Sequence, residues 1–310
     1  MTGQFAERTT APGEAATGSI YDLGYQHYEG RRLGRSGAFM ALYADSLRAA
    51  FGLGRPGRAK IVPIGLAVIA LLPAVIAVAV EAVAKGAIPD PIRYDNYFST
   101  TVQFLVLFVA GQAPELLGRD QRHHVLPLYF SRALDRLDYP AAKLAALGTA
   151  LLIVSILPQA AIFLGKVLGG ADPVGALADN LPAVPPIVVS SLAAAVVMAA
   201  IALAVASLTP RRAYATAGIF ALFYISLAVS GVIAAMSREV AGGSAWGDYA
   251  PLLAPTATLE GLTAWFFGST PSGEEFGLFA LAGPIYLAAT AVWAVVAVAV
   301  LAWRYRRIPA

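Results

Sequence analysis

The residues best equipped for chemistry are crowded into one short segment, "ELLGRDQRHHVLPLYFSRALDRLDYPAAK", Glu115–Lys143. It carries the adjacent pair His123 and His124, which raises the question of a metal. Neighbouring residues on a helix point about 100° apart, so the two rings do not converge on one ion. Helical metal motifs instead use i, i+3 or i, i+4 spacing. The expectation is a surface or interface role for both, and no bound metal. The third histidine, His27, lies in the N-terminal segment, and the chain has no cysteine, so neither a disulfide framework nor thiolate chemistry is available. Ser230 in "AVSGVI" is the one apolar-segment serine that resembles a nucleophile. No histidine lies in the apolar stretches to act as its base, and its expected role is close helix packing beside Gly231. The nearest approach to a phosphate-binding loop is "GLGRPGRA", which lacks the lysine and the hydroxyl of G-x-x-x-x-G-K-[ST]. The chain is therefore expected to hold no cofactor and not to hydrolyse ATP itself. Gln103, Gln112 and Gln159 interrupt apolar stretches. They are candidates for a translocation path, although helix–helix hydrogen bonding accounts for them equally well.

The elements that must position these groups are apolar helices. Of 310 residues, 58% are hydrophobic and 13% charged, against about 25% charged in an ordinary soluble domain. Mean hydropathy is +0.67. A bilayer core asks for about 20 apolar residues of helix. Six stretches meet or approach this: Ile61–Val83, Tyr97–Pro114, Leu144–Leu164, Ile187–Leu208, Ala213–Ala235 and Leu278–Trp303. The reading is an all-α polytopic membrane protein with six transmembrane helices. Residues 1–35 form a polar N-terminal tail without a signal-peptide apolar region. Residues 36–60 make an amphipathic helix and a Gly/Pro turn, and residues 61–310 form the six-helix domain. Apart from Glu81, the six stretches contain no Asp, Glu, Lys, Arg or His, which argues against an ion-coupled carrier.

Charge sets the orientation. With both termini inside, 18 of the 22 Lys and Arg fall on the inner side, together with 9 of the 19 Asp and Glu. That bias predicts cytoplasmic termini. It makes 115–143 a cytoplasmic loop whose basic residues face lipid headgroups and the cytosol, and it makes 236–277 an extracellular segment. Within the first of these, Glu115–Arg122 can continue the second span as a helix. "HHVLPLYFSRALDRL" carries more apolar groups than a solvated loop needs and is too short to span. A short helix offering apolar and aromatic knobs to a protein partner fits it. Asp138 suits an N-cap with Pro140 in the first turn, and Lys143 suits a snorkelling position at the membrane boundary.

Before the first span, Phe39, Leu42, Tyr43, Leu47, Ala50 and Phe51 recur at helical spacing, opposite Asp45 and Arg48. This predicts an amphipathic helix in the membrane interface. The aromatic and arginine residues of "YDLGYQHYEGRRLGR" point to lipid headgroups or a partner protein rather than nucleic acid.

Six spans, cytosolic termini, a helix before the first span and a helix between the second and third together resemble the permease subunit of type-2 ABC exporters. "LPLYFSRALDRLDYPAAKLAAL" resembles the family's Leu-rich run meeting Ser-Arg and then a Lys opening the third span. "YDLGYQHYEGRRLGR" and "FGLGRPGRAKIVP" are similar to a bacterial subgroup. One departure is Arg132-Ala133, where such sequences often read Arg-Pro. The resemblance implies a coupling helix at about Val125–Leu134 that contacts a separate ATP-binding subunit, itself the holder of ATP and Mg. The contact would use Leu126, Leu128, Tyr129, Phe130, Arg132, Asp135 and Arg136. Phe39, Tyr43, Leu47 and Phe51 would serve as the interface helix. A second permease copy or a sister permease, membrane lipid and the cell membrane complete the expected setting, with export as the direction. Tyr249–Ser269, "YAPLLAPTATLEGLTAWFFGS", suits short re-entrant helices or an extracellular loop with an aromatic anchor. The alternatives are an autonomous carrier or channel, or a membrane scaffold without transport. The substrate is not encoded in any motif.

Overall fold

The computed structural model describes residue 30 and residues 33–84, 93–123, 125–131, 134–169, 172–241, 246–269 and 281–307. The chain divides into residues 1–33 and 34–310, and the account below concerns the second unit. Its elements in order are α1 (Gly34–Ala50), α2 (Arg58–Ala84), α3 (Tyr97–Arg122), α4 (Leu126–Phe130), α5 (Asp138–Gly169), α6 (Pro173–Asn180), α7 (Val184–Ser207), α8 (Arg212–Phe220), α9 (Ser226–Ala241), α10 (Pro255–Phe267) and α11 (Gly283–Arg306). Short 3-10 turns occupy Leu181–Ala183 and Gly247–Leu253, and a π turn at Ala221–Ile225 joins α8 to α9. No strand occurs among the described residues.

Six helical stretches are long and apolar enough to cross a membrane: Arg58–Val83, Tyr97–Arg122, Asp138–Gly169, Pro173–Ser207, Arg212–Ser237 and Gly283–Arg306. Most run past the apolar limits read from sequence, because helical hydrogen bonding continues through polar residues whose side chains find partners. The bundle is layered. α7 and α3 are largely enclosed, whereas α2, α8–α9 and α11 leave most of their apolar surface uncovered. Val68, Leu72, Ile76 and Val295 are among the exposed side chains. An outward face of this composition is at home in hydrocarbon.

The proline inside α3 is served by a neighbouring helix. Pro114 has no N–H to give the Ala110 carbonyl four residues earlier, and Thr216 of α8 donates to that carbonyl instead at 3.0 Å. A second hydroxyl crosses between helices at Tyr97, which donates to the Ala70 carbonyl of α2 at 2.6 Å. Such cross-helix donors are what make proline tolerable in a spanning helix.

α1 forms as its periodicity predicts, but its apolar side meets protein. Leu42, Ser46 and Ala50 are buried, and Phe39, Tyr43, Leu47 and Phe51 are half-buried against the core. The Tyr43 hydroxyl donates to Thr149 Oγ1 of α5 at 3.1 Å, and the Phe51 and Phe108 rings lie 5.9 Å apart. The small residues of "AAKLAALGTA" on α5 allow this close approach. The turn after α1 requires Gly52. Its φ is +70°, and a Cβ there would lie 2.5 Å from the Ala59 carbonyl oxygen.

The segment after α9 folds as the 3-10 turn and α10 rather than as an open loop. α10 packs against α7 and α11, with Thr258, Leu259 and Leu262 buried. Gly261 makes that approach possible, since a Cβ there would lie 2.6 Å from the Tyr286 ring. Ser230, the candidate nucleophile, is buried and donates to the Ala250 carbonyl at 2.8 Å. It ties α9 to this segment, in line with a packing role.

Candidate functional site: the basic end of the bundle

Six helix ends meet where the arginines concentrate, and α3 supplies the acids that organise them. Glu115 accepts from Arg55 at 2.5 Å and pairs with Arg212 at 3.3 Å. One carboxylate thus joins the α1–α2 turn to the start of α8. One turn further on, Asp120 pairs with Lys143 of α5 at 3.0 Å and accepts the Tyr139 hydroxyl proton at 2.7 Å. Gln121 Nε2 reaches the Ser207 carbonyl at the end of α7 at 3.3 Å, and Arg304 of α11 donates to the same carbonyl at 3.3 Å. Helix C-termini leave carbonyls unpaired, and here side chains of other helices fill one of them.

Lys143 does not snorkel as expected. It is 5% exposed, with its ammonium on Asp120 and 5.3 Å from the Tyr139 ring centre. A half-buried carboxylate on α3, invisible in the sequence around Lys143, holds it inward. Asp138 is the first residue of α5, and its Oδ2 accepts from the Asp135 backbone N–H at 3.0 Å. Pro140 follows within the first turn, as expected. Arg35 of α1 then pairs with Asp138 at 2.7 Å and with Asp135 at 2.6 Å. The hydrogen bonds that Arg35 donates to the Asp138 carboxylate raise the guanidinium above its ordinary value, so it stays charged throughout the physiological range.

The short helix of the loop is smaller than expected and oriented differently. The predicted coupling helix ran over Val125–Leu134. The observed α4 covers Leu126–Phe130 and closes at Ser131. Arg132 lies outside the described residues, as does His124. Leu126 is buried. Tyr129 and Phe130 are half-buried rather than free knobs, with ring centres 5.5 and 6.4 Å from that of Tyr139. Tyr139 in turn faces Tyr305 of α11 at 5.2 Å. Apolar surface and π-edge complementarity favour this inward cluster over exposure. Burial raises the Tyr129 phenol above its usual range, and the charges of Asp120 and Asp45 add to the shift. The outward side of α4 carries Pro127 and Leu128, the latter 66% exposed. Asp135 is engaged by Arg35, and Arg136 donates to the Arg306 carbonyl at 3.3 Å. His123 is exposed at the end of α3.

Between α1, α3, α4 and α5 lies an open cavity of about 830 Å³. Asp45, Arg55, Glu115, Arg119, His123 and Tyr129 are among its lining residues. Its walls mix acids and bases, and Glu115, Asp120, Arg55 and Lys143 already pair with one another. Such a surface suits a protein partner with charges of both signs, and it holds helix ends in register rather than presenting an activated nucleophile.

The three glutamines are not gathered. Gln103 is exposed on α3, Gln112 is buried further along it, and Gln159 is buried on α5 beside Ser155 and Ser191. Tyr139, Tyr305, Gln121 and Glu115 were missed as organising residues. Nothing in the spacing connects Tyr139 with Tyr305, which belong to the first turn of α5 and the last turn of α11. The only local signal was the density of charge after Pro114.

Compared with protein-family models and with curated proteins, the chain matches none.

Proposed function

We propose that this chain is the membrane-spanning permease subunit of an ABC transporter of the type-2 exporter class. It sits in the cell membrane with both termini in the cytoplasm. It works with a second permease copy or a sister permease, and a separate ATPase subunit binds and hydrolyses ATP with Mg. The observation that carries this reading is α4. It is a short helix at the basic end with an exposed Pro127–Leu128 edge, and its other side rests on Tyr139, which touches α3 and α11. A subunit that pushes on that edge moves three helix ends together. The positive bias of this end supports its cytoplasmic placement. α1, docked on α5 and flanking the bundle, serves as the interface helix. α10 and the 3-10 turn before it serve as the outer re-entrant pair.

The test is co-expression of the chain with the reading frames encoded beside it, followed by purification in detergent. The expected result is retention of an ATP-binding subunit whose ATPase rate rises with the permease present. Leu128→Asp is expected to abolish both retention and stimulation while leaving the melting temperature of the permease unchanged. Substrate movement by the purified chain alone, driven by an ion gradient in liposomes without ATP, would overturn the proposal in favour of an autonomous carrier.

A further inference from the structure

A second polar site lies far from the basic end. Thr101 is only five residues into α3, whose opposite end carries Asp120, so the site belongs to the other half of the bundle. It is a cavity of about 10 Å³ lined by residues of α3, α5, α7 and α10. That volume matches a single water, which needs about 10–15 Å³ measured this way.

The hydrogen-bond pattern of the lining defines what can enter. Thr101 donates its hydroxyl proton to the Tyr97 carbonyl at 2.8 Å, Ser190 to Ile187 at 3.2 Å, and Thr263 to Leu259 at 2.8 Å. Each proton is committed to its own helix, which leaves the hydroxyl oxygens as acceptors. Gln159, 5% exposed, directs its Nε2 to Ser191 Oγ at 3.1 Å and to the Ser155 carbonyl at 3.4 Å. No described residue donates to its Oε1. Ser191 Oγ accepts from both Ser155 and Gln159, so its own proton is free to be given away. The site therefore offers several acceptors and one donor. No carboxylate lines the site to neutralise a cation, and no ammonium or guanidinium to neutralise an anion. Water, which donates two protons and accepts one, matches the set.

The geometry points to a single internal water held by Gln159 Oε1 and Ser191, with Thr263 of α10 as a further partner. That water pins the short outer helix to the spanning helices. It is the counterpart of the Thr216 hydroxyl that serves the carbonyl freed by Pro114, and it stands independently of the transport reading. Through it, α10 gains a polar attachment to α5 and α7.

The experiment is a structure of the purified full-length chain at a resolution that shows ordered water, combined with amide exchange across 255–267. One peak at hydrogen-bond distance from Gln159 Oε1 and Ser191 Oγ is expected, in sodium chloride and in choline chloride alike. A peak or a thermal stabilisation that appears only with sodium would mean a cation site and overturn the proposal. A dry cavity would overturn it too. Thr263→Val keeps the shape and removes the α10 acceptor. It is expected to speed exchange in 255–267 about tenfold. Thr290→Val removes a similar buried hydroxyl that bonds its own helix at the Tyr286 carbonyl, outside the cavity lining, and is expected to leave that exchange unchanged. Equal exchange in both variants would refute the pinning role.

Discussion

The basic end and the small polar cavity both admit polar groups into this apolar bundle, and they do so by different physics. At the basic end, acids and bases neutralise each other across helices: Glu115 with Arg55 and Arg212, and Asp120 with Lys143. Around the small cavity the polar side chains are hydroxyls and one amide, and most of their protons go to their own helices. The difference follows from the cost of charge. An ion pair is tolerable where its partners can be drawn from exposed loops and helix ends. Inside the spans a neutral hydroxyl that satisfies itself is far cheaper than an ammonium or carboxylate. The basic end accordingly joins helix ends through charge pairs, and the small cavity brings helices together through neutral groups.

The sharpest way to break this contrast is Lys143→Met. It leaves the Asp120 carboxylate partly buried with only Tyr139 as its close donor, and is expected to lower stability by about 3 kcal/mol. Thermal unfolding of the detergent-solubilised protein reads the loss. Adding Asp120→Leu should recover much of it, and failure to recover would mean that Lys143 acts through packing instead. Next is Gly261→Val, which pushes a side chain into the Tyr286 ring and is expected to cost about 2 kcal/mol by overpacking. Here faster amide exchange confined to α10 and its neighbours is the outcome to look for, with the basic end unchanged. Thr216→Val withdraws the donor from the carbonyl that Pro114 leaves open. The expected loss is about 1 kcal/mol, and an unshifted melting curve would show that the Ala110 carbonyl finds another donor. Smallest is Arg35→Gln. Arg35 itself and Asp135 are exposed, Asp138 is half-buried, and salt screens such pairs. Any shift in melting temperature should vanish when salt is raised to 1 M, and one that persists would reveal a packing role for the guanidinium stem.

The cluster behind α4 shows where sequence reasoning reached its limit. Leu126, Tyr129 and Phe130 were legible as an apolar run in a charged loop, and a short helix there was foreseen. That the aromatic rings turn inward was not, because their partners, Tyr139 and Tyr305, come from α5 and α11. Lys143 failed for the same reason. Its inward position depends on Asp120, which belongs to a different helix. The glutamines show the reverse case. They were grouped by residue type, but a 3.6-residue period and the crossing of two helices send Gln103 outward and Gln159 into the neutral cavity.

By itself the sequence determined six helices of spanning length, the concentration of basic residues at one set of their ends, and the positions of α1 and α4. These follow from hydrocarbon content, periodicity and charge counts, all of which are local or additive along the chain. The tertiary structure alone decided that α1 rests on α5, that Thr216 answers Pro114, that Asp120 captures Lys143, and that four helices enclose a water-sized polar cavity. Those outcomes depend on which faces meet after folding, and pairing between distant helices leaves no period in the residues of either one.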